Sequence, residues 1–435
     1  MTSDARQAYV WIWLPGAVAP VVAGKLTERA GQAVFNYGRS YLAREDAMAV
    51  YAPELPLRPG LLPPPPGLDM PSCIRDAAPD AWGRRVIVNR MAGLGATDTV
   101  DLDEWTYLLE SGSDRIGALD FQTSPTEYRP RLADSVALAD LQRSAERVMQ
   151  GVPLSAELDR ALMHGTSVGG ARPKAMIEAE NRKYIAKLSL STDVYDIVKT
   201  EFVAMRLARR LGLDAAQVHL DRALDRDVLL VERFDRIRTP QGWSRKAMVS
   251  ALTILGESEM TARYAGYEIL AEAIRYRFAE PSETLRELYG RMVFNVLCGN
   301  TDDHARNHAA FWDGRMLRLT PAYDICPQLR TGNEAGQAMR ICGNDNLSRI
   351  SNCLKAAPAF LLSEDEAAAL TRAQVQGLGE YWGAVCDEAG LGETERRSLW
   401  GRQFLNPYAF EDLTGRWSEI KQEAERQRRR GRDGH

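Results

Sequence analysis

The chain has 435 residues, of which 45% are apolar and 26% charged, and 55 basic against 59 acidic side chains leave a net charge of −4. This ordinary globular composition excludes wholesale disorder, a collagen-like repeat and a small disulfide scaffold. No global basic excess points to nucleic acid and no acidic excess to a basic partner; the length suits about two to four domains.

The six cysteines, Cys73, Cys298, Cys326, Cys342, Cys353 and Cys386, form no C-x-x-C pair and no regular framework. In a chain of this length they read as reduced, buried thiols of a cytosolic protein. The apolar stretch 10–24 contains Pro15 and Pro20 and is shorter than the ~20 residues a spanning helix needs. It reads as strands around a turn, not as a signal peptide. The expectation is a cytoplasmic protein with no membrane contact.

In chain order, 9–14, 34–37 and 48–51 read as short strands. The proline-rich run 53–67 reads as a stiff, extended connector. Helices are expected over 80–91, with Trp82, Val86, Ile87 and Met91 on one stripe, then over 102–110 and 135–149. A small-residue loop runs from His164 to Lys174. The alternating segments 175–179 and 183–188 then form a hairpin whose second strand carries Lys187. A helix over 200–211 stops at Gly212 and has Glu201 in its first turn. The run 228–231 is a buried strand.

The second half is helix-rich. Apolar residues between Leu285 and Leu297 follow helical spacing and Gly299-Asn300 closes that helix. Ser363-Glu364-Asp365-Glu366 is a capping box. The basic tail from Lys421, with Arg428-Arg429-Arg430, reads as a solvated, frayed end rather than a nucleic-acid contact.

The chemistry concentrates in Cys298-Gly299-Asn300-Thr301-Asp302-Asp303-His304-Ala305-Arg306-Asn307, where a strongly apolar helix stops. Asp313-Gly314 follows between two apolar runs, a strong hairpin signal, and then comes Pro321-Ala322-Tyr323-Asp324. A hairpin returns the chain to where it left, so Asp324 is expected near Asp302 and Asn307. Two carboxylates and one amide oxygen are hard oxygen ligands, suited to Mg²⁺ rather than Zn²⁺.

The Asp302-to-Asn307 offset equals that of the kinase catalytic loop H-R-D-x-x-x-x-N, where the Asp accepts the hydroxyl proton and the Asn holds a metal. Asp324 matches the D-F-G aspartate by position, although its triplet is Asp324-Ile325-Cys326. Lys187 on a strand before Glu201 on a helix is the order of a phosphate-pairing lysine and its orienting glutamate. Each piece alone has a plainer reading: an exposed strand lysine, a surface acid, turn and cap residues. The order of five elements favours a kinase-like site. His304 and His308 have the spacing of a zinc pair, but Gly299-Asn300 ends the helix before them. His164 and His219 read as structural. The glycine-rich loop has neither G-x-G-x-x-G nor Walker spacing.

At these residues the chain resembles the HipA-type serine/threonine kinases, toxin components of bacterial toxin–antitoxin pairs. The matching segments are 167–174 (SVGGARPK), 184–187 (YIAK), 231–236 (VERFDR), 301–307 (TDDHARN) and 319–324 (LTPAYD). Residues 76–80 (DAAPD) and 110–119 (ESGSDRIGAL) are similar to the family's leading module. The resemblance implies an α/β, two-lobed protein-kinase-like fold, with a mixed α/β amino-terminal lobe and an all-helical carboxy-terminal lobe. The implied division is a leading subdomain over 1–125, a kinase amino lobe over 126–255 and a helical lobe with the catalytic loop over 256–435.

The resemblance also implies an ATP- and Mg²⁺-dependent protein kinase. Lys187 would bind the ATP phosphates, with Lys174 and the loop residues Ser167, Gly169, Gly170 and Ala171 covering them. Asp302 would be the catalytic base, Asn307 and Asp324 the Mg²⁺ ligands, and His304 a neighbour of the nucleotide. Glu232 and Phe234 would form the adenine-side hinge, and Glu201 the ion pair that orients Lys187. Ser167 would be self-phosphorylated, which switches the enzyme off. The implied substrates include aminoacyl-tRNA synthetases, and the implied partner is a small HipB-like helix-turn-helix antitoxin that binds operator DNA. Arg172-Pro173 departs from the family's loop. Two other readings stand beside this one: a catalytically spent fold bridging an antitoxin and DNA, and a small-molecule kinase. The intact set Lys187, Asp302, Asn307 and Asp324 argues against the first.

Overall fold

The computed structural model describes residues 6–92, 102–132, 137–152, 154, 170–330, 332 and 334–432. The chain divides into two units: Met1–Tyr195, Asp221–Val249 and Phe311–Arg315 form the first; Asp196–Leu220, Ser250–Ala310 and Met316–His435 form the second.

In the first unit, β1 (Gln7–Ile12), β2 (Val21–Arg29), β3 (Gln32–Tyr37) and β4 (Leu119–Gln122) make an antiparallel sheet in the order β3-β2-β1-β4. The β2–β3 turn places Ala30 and Gly31 at φ 50° and 80°, as a two-residue hairpin of the right twist requires. Residues 48–51 are not the expected strand. They are buried one after another, and side-chain hydroxyls take the backbone groups a ladder would use. The Val50 N–H donates to Tyr37 Oη (2.9 Å) and the Met48 N–H to Tyr41 Oη (3.2 Å). The proline run, read as a stiff connector, also packs onto the sheet. Leu62 exchanges both backbone hydrogen bonds with Phe35 (2.8 and 2.9 Å), and Leu55 and Leu62 are buried.

Helices α1 (Arg39–Leu42), α2 (Ser72–Arg75), α3 (Ala81–Ala92), α4 (Glu104–Glu110) and α5 (Leu138–Met149) complete the amino-terminal portion. A second sheet has the order β5-β6-β8-β7, from β5 (Lys174–Ala179), β6 (Arg182–Leu188), β7 (Val218–Ala223) and β8 (Arg226–Glu232). Ala175, Tyr184, Ala186, Leu188, Val228 and Leu230 fill one of its faces against Trp82 and Val86 of α3 and Leu141, Ala145 and Val148 of α5. The period-2 alternation of β6 therefore puts Lys187 on the opposite face. A hairpin of β9 (Arg236–Thr239) and β10 (Gly242–Arg245) follows.

A buried ion cluster joins two of the quoted motifs. Asp114 is bound by Lys183 (2.7 Å), Arg233 (3.0 Å) and Arg236 (2.8 Å). Asp235 is bound by Arg233 (2.7 Å), Arg236 (2.8 Å) and the Gly117 N–H (2.8 Å). Burial alone would raise both carboxyls. The surrounding guanidiniums instead hold Asp114 well below the ordinary carboxylate range and Asp235 down to about 2. This cluster fixes the segment that carries Glu232 and Phe234.

The second unit begins with α6 (Ile197–Arg210). The helix ends in a Schellman arrangement, with Gly212 at φ 84° and the Leu213 N–H donating to Ala208 O (3.0 Å). Glu201 does not lie in the first turn as expected, because the helix starts three residues earlier, and it is buried, which removes the plainer reading of a surface acid. After β11 (Met248–Ser250) come α7 (Ala251–Leu255), α8 (Tyr267–Arg277) and α9 (Pro281–Cys298). The strands β12 (Ala309–Trp312) and β13 (Leu317–Leu319) flank Asp313-Gly314, and α10 (Ile350–Ala356), α11 (Glu364–Glu388), α12 (Glu393–Leu399) and α13 (Ser418–Arg432) follow. The Ser363 capping box of α11 is formed.

The basic tail is not a frayed end. It is α13, which buries Ile420 and Ala424 and packs along α11. Arg428 Nη1 donates to Leu405 O (3.1 Å). Of the cysteines, Cys73, Cys298, Cys353 and Cys386 are buried, Cys326 and Cys342 are partly exposed, and all six are free. Among the described residues no helix is long and apolar enough to cross a membrane.

Candidate active site

In the first unit the candidate nucleotide residues sit on the β5–β6 hairpin and its flanks. Its turn, Glu180-Asn181, lies at φ 51° and 59°. The register pairs Lys174 directly with Lys187, and Lys187 in turn with Leu229 of β8. Directly paired residues share a face, so two ammonium side chains stand together on the face away from the α3/α5 core. Lys174 is 6% exposed.

The end of the small-residue loop is anchored from α3. The Gly170 N–H donates to Asp80 Oδ2 (2.6 Å), the Trp82 N–H to Gly170 O (3.0 Å), and Trp82 Nε1 to Lys174 O (2.9 Å). Gly170 has φ 97°, a backbone conformation that side-chain-bearing residues rarely adopt, and a Cβ there would also push the Lys174 ammonium aside. Sequence reasoning missed Asp80 and Trp82 as supports of this loop; the place of Asp80 in the 76–80 motif and of Trp82 on the apolar stripe of the helix were the available signals. Ala171 is exposed. Ser167, Gly169 and His164 lie outside the described residues. Glu232 pairs with Arg182 (2.5 Å) and Phe234 makes an edge contact with Phe311 (5.9 Å).

In the second unit α9 ends in a Schellman arrangement. Gly299 adopts φ 73°, its N–H donates to Val296 O (3.4 Å), and the Asn300 N–H donates to Asn295 O (2.9 Å). The chain then turns through Asp302. The carbonyl of Asp302 accepts from the His304 N–H (2.9 Å) and from Asn307 Nδ2 (3.1 Å). With its nitrogen so engaged, the Asn307 amide offers its oxygen to a cation.

Asp324 arrives beside this loop. Tyr323 Oη donates to Arg306 O (2.6 Å) and the Gln328 N–H to Gly299 O (3.0 Å), so the loop is hydrogen-bonded on both sides of Asp324. Asp324 itself sits at φ 59°, in the left-handed region that aspartate tolerates better than most residues.

Asp302 is exposed at the loop mouth. Its carboxyl is raised above its ordinary value, first by partial desolvation and then by the charges of Asp324 and Asp303, with His304 acting the other way. Asp303 turns inward and is buried. Its Oδ2 accepts from Tyr267 Oη and its Oδ1 lies 2.9 Å from His308 Nε2. Neighbouring residues thus point to opposite sides. No periodicity marked Tyr267 or Asn295 as partners of this loop.

Among the described residues no group of three or more His, Cys, Asp or Glu side chains is arranged to hold a metal ion. Mg²⁺ commonly takes only one or two carboxylates and completes its shell with water and substrate phosphates. Asp324 and the Asn307 amide oxygen, beside the like charge of Asp302, fit that requirement.

Residues 13–122 match the family profile of the HipA N-terminal domain, and residues 166–382 that of the HipA-like C-terminal domain. The chain belongs to the HipA family. A solved HipA–HipB–operator DNA complex of Shewanella oneidensis contains a chain that matches with a TM-score of 0.68 at 17% identity, over 95% of this chain and 97% of that one. The match carries the fold: an α/β, kinase-like HipA architecture. The serine/threonine-protein kinase toxin HipA of Shewanella oneidensis is 27% identical over 184 residues, 37% of this chain and 42% of the relative. A Sinorhizobium fredii protein named "Putative kinase Y4mE" is 30% identical over 132 residues, 29% of this chain and 31% of that protein. The matched stretches span less than half the length of either relative.

Proposed function

We propose that this HipA-family chain is an ATP- and Mg²⁺-dependent serine/threonine protein kinase, cytoplasmic, acting as a growth-inhibiting toxin. The observation that carries the reading is the convergence at one loop of Asp302, Asn307 and the segment of Asp324, with the charge of Asp324 felt at Asp302.

The roles proposed for the residues are those the family resemblance implies, and the settings of Asp302, Asn307 and Asp324 support theirs. Asp302, exposed and made more basic by its surroundings, accepts the proton of the attacking hydroxyl. Asn307 and Asp324 hold the metal. A bound Mg²⁺ supplies charge neutralisation on the phosphoryl oxygens. Lys187 and Lys174 take the nucleotide phosphates, with Gly170 and Ala171 at the loop's end, and His304 lies near the nucleotide. Glu232 and Phe234, fixed by the Asp114–Arg233 cluster, border the adenine. Glu201 orients Lys187, and Ser167 is the self-phosphorylated switch. Catalysis is mostly positioning and electrostatic stabilisation.

The partner is a HipB-like helix-turn-helix antitoxin, through which the chain reaches operator DNA. Support for this comes from the Shewanella complex, which contains HipA, HipB and its operator DNA. The substrate is a protein hydroxyl, with an aminoacyl-tRNA synthetase as the class the family suggests. The test is incubation of the purified chain with labelled ATP, Mg²⁺ and cell lysate, with a chelator control. Label on the chain or on a lysate protein is expected. No transfer to any protein removes the protein-kinase reading, and label found only on small molecules moves it to a small-molecule kinase.

A further inference from the structure

Beneath the catalytic loop lies a continuous chain of buried polar side chains. Asn300 Nδ2 donates to Asn295 Oδ1 (3.0 Å), Asn295 Nδ2 donates to Tyr267 Oη (3.3 Å), and Tyr267 Oη donates to Asp303 Oδ2. On the other carboxylate oxygen, His308 Nε2 stands at 2.9 Å, and the Tyr267 ring packs edge-on against the His308 ring at 5.4 Å. All five residues are at most 3% exposed. Burial and the Asp303 carboxylate hold the Tyr267 phenol well above its ordinary value, so it stays a donor.

The chain of contacts has a definite geometry. Asn300, Asp303 and His308 are buried polar residues of the segment that bears Asp302 and Asn307. Tyr267 opens α8 and Asn295 belongs to the last turns of α9, both rigid elements. Backbone bonds hold the same segment at other points: the Ala338 N–H donates to Thr301 O (3.0 Å) and the Ala251 N–H to His308 O (2.7 Å). Neither reaches the Asp302–Asp303 peptide. On that peptide the Asp302 carbonyl accepts from the His304 N–H (2.9 Å) and from Asn307 Nδ2 (3.1 Å), both donors belonging to the loop itself; the side chain that ties the peptide to the helices is Asp303, held by Tyr267.

We propose that Tyr267 is a positioning residue for Asp302, acting through Asp303. Its hydroxyl fixes the inward carboxylate and thereby sets the direction in which the adjacent Asp302 faces the substrate. The proposal rests on Asp302 being the base, as read above. Removing the hydroxyl leaves an interior carboxylate oxygen without its donor, and the loop shifts to find water or another donor. Misplacement of a catalytic group by about 1 Å costs up to ~10²-fold in rate.

The test compares wild type with Tyr267→Phe, Asp303→Asn and Asp303→Ala. Turnover is counted per ATP-binding-competent chain. In Tyr267→Phe, kcat should fall roughly ten- to a hundredfold while KM for ATP stays near wild type. Asp303→Asn, which keeps an oxygen for Tyr267, should retain more turnover than Asp303→Ala. Hydrogen exchange over residues 300–308 should quicken in Tyr267→Phe, with the rest of the second unit unchanged. A purely structural tyrosine would lower the melting temperature and leave kcat per competent chain unaltered; that result, or unchanged exchange in the loop, overturns the proposal. If the wild-type chain transfers no phosphate at all, the kinase reading fails by itself, and the exchange measurement still decides whether Tyr267 holds the loop. Should Tyr267→Phe not fold, the ordering of the two Asp303 variants decides.

Discussion

Lys174 and Lys187 are directly paired across β5 and β6, so two ammonium groups share one face of the sheet at neighbouring positions. Like charges opposite one another in a sheet are unfavourable by a few tenths of a kcal/mol to about 1 kcal/mol, and such a pair favours a polyanion beside it. Lys187→Met should therefore abolish the stabilisation that ATP confers. In the wild type, ligand at 100 times its Kd raises stability by about 2.7 kcal/mol. Thermal shifts with and without ATP measure this, and an equal shift in both proteins would exclude Lys187 from the nucleotide site.

Asp302 and Asp303 are adjacent but face opposite ways. Asp302→Asn should lose ~10²-fold or more in turnover, the scale of general-base removal. Asp303→Asn should lose much less, because the amide keeps an oxygen for Tyr267. Equal losses at the two positions would refute the register.

The raised carboxyl of Asp302 also makes a stability prediction. A folded-state pKa above the unfolded value means that the fold binds the proton better than the open chain does. The protonated form's advantage is fully present below the unfolded value and is lost as pH rises through the folded one. In metal-free buffer at neutral pH, Asp302→Asn should thus melt slightly higher than wild type, and the gain should vanish as the pH is lowered through the raised range. A lower melting point for the variant at neutral pH contradicts this.

Asp324 couples a ligand role to a left-handed backbone at φ 59°. Asp324→Ala and Asp324→Gly both remove the carboxylate, and both should lose Mg²⁺-dependent turnover. Only alanine is strained there, by roughly 1–2 kcal/mol, so Asp324→Ala should melt lower than Asp324→Gly while remaining cooperatively folded. Mg²⁺ titrations of activity beside calorimetry separate the two effects. Full activity in either variant excludes Asp324 as a metal ligand.

The Asp114–Arg233–Asp235–Arg236 cluster should make the first unit acid-sensitive. Both carboxyls are depressed in the fold, so their stabilisation is present above the ordinary carboxylate value and fades as the pH falls toward about 2, where Asp235 takes up its proton. Asp114→Ala leaves buried cations with one carboxylate fewer and should cost on the order of 3–5 kcal/mol. Urea titrations across that range test both statements. A variant as stable as wild type would show that the cluster contributes nothing net.

Ser167 bears on regulation. A phosphate there adds roughly −1.5 to −2 charges three residues before Gly170, whose backbone lies against the Lys174 ammonium. Mass spectrometry should find phospho-Ser167 after incubation with ATP, the phosphorylated form should bind ATP poorly, and Ser167→Ala should not silence itself. Tight ATP binding by a stoichiometrically phosphorylated form would count decisively against the switch.

The sequence by itself determined what is settled within a few residues. Gly212 and Gly299 end their helices because only glycine takes the left-handed position cheaply. Ser363 starts α11 because its hydroxyl caps the Glu366 N–H. Alternation in β6 put Lys187 and the core residues on opposite faces. The same local signals brought the segment of Asp324 back beside the loop of Asp302.

The tertiary structure alone decided the partners of buried polar groups. Tyr267 and Asp303 are 36 residues apart, and Arg233 and Asp114 are 119 apart. Nothing in the period of either segment names the other, because a buried donor or acceptor must be satisfied by whatever the packed elements bring near it. For the same reason residues 48–51 gave up the expected strand to the hydroxyls of Tyr37 and Tyr41, Glu201 went inside, and the arginine-rich tail became a docked helix. A local pattern sets which way a side chain points; the partner it meets there is set by the packing of distant segments.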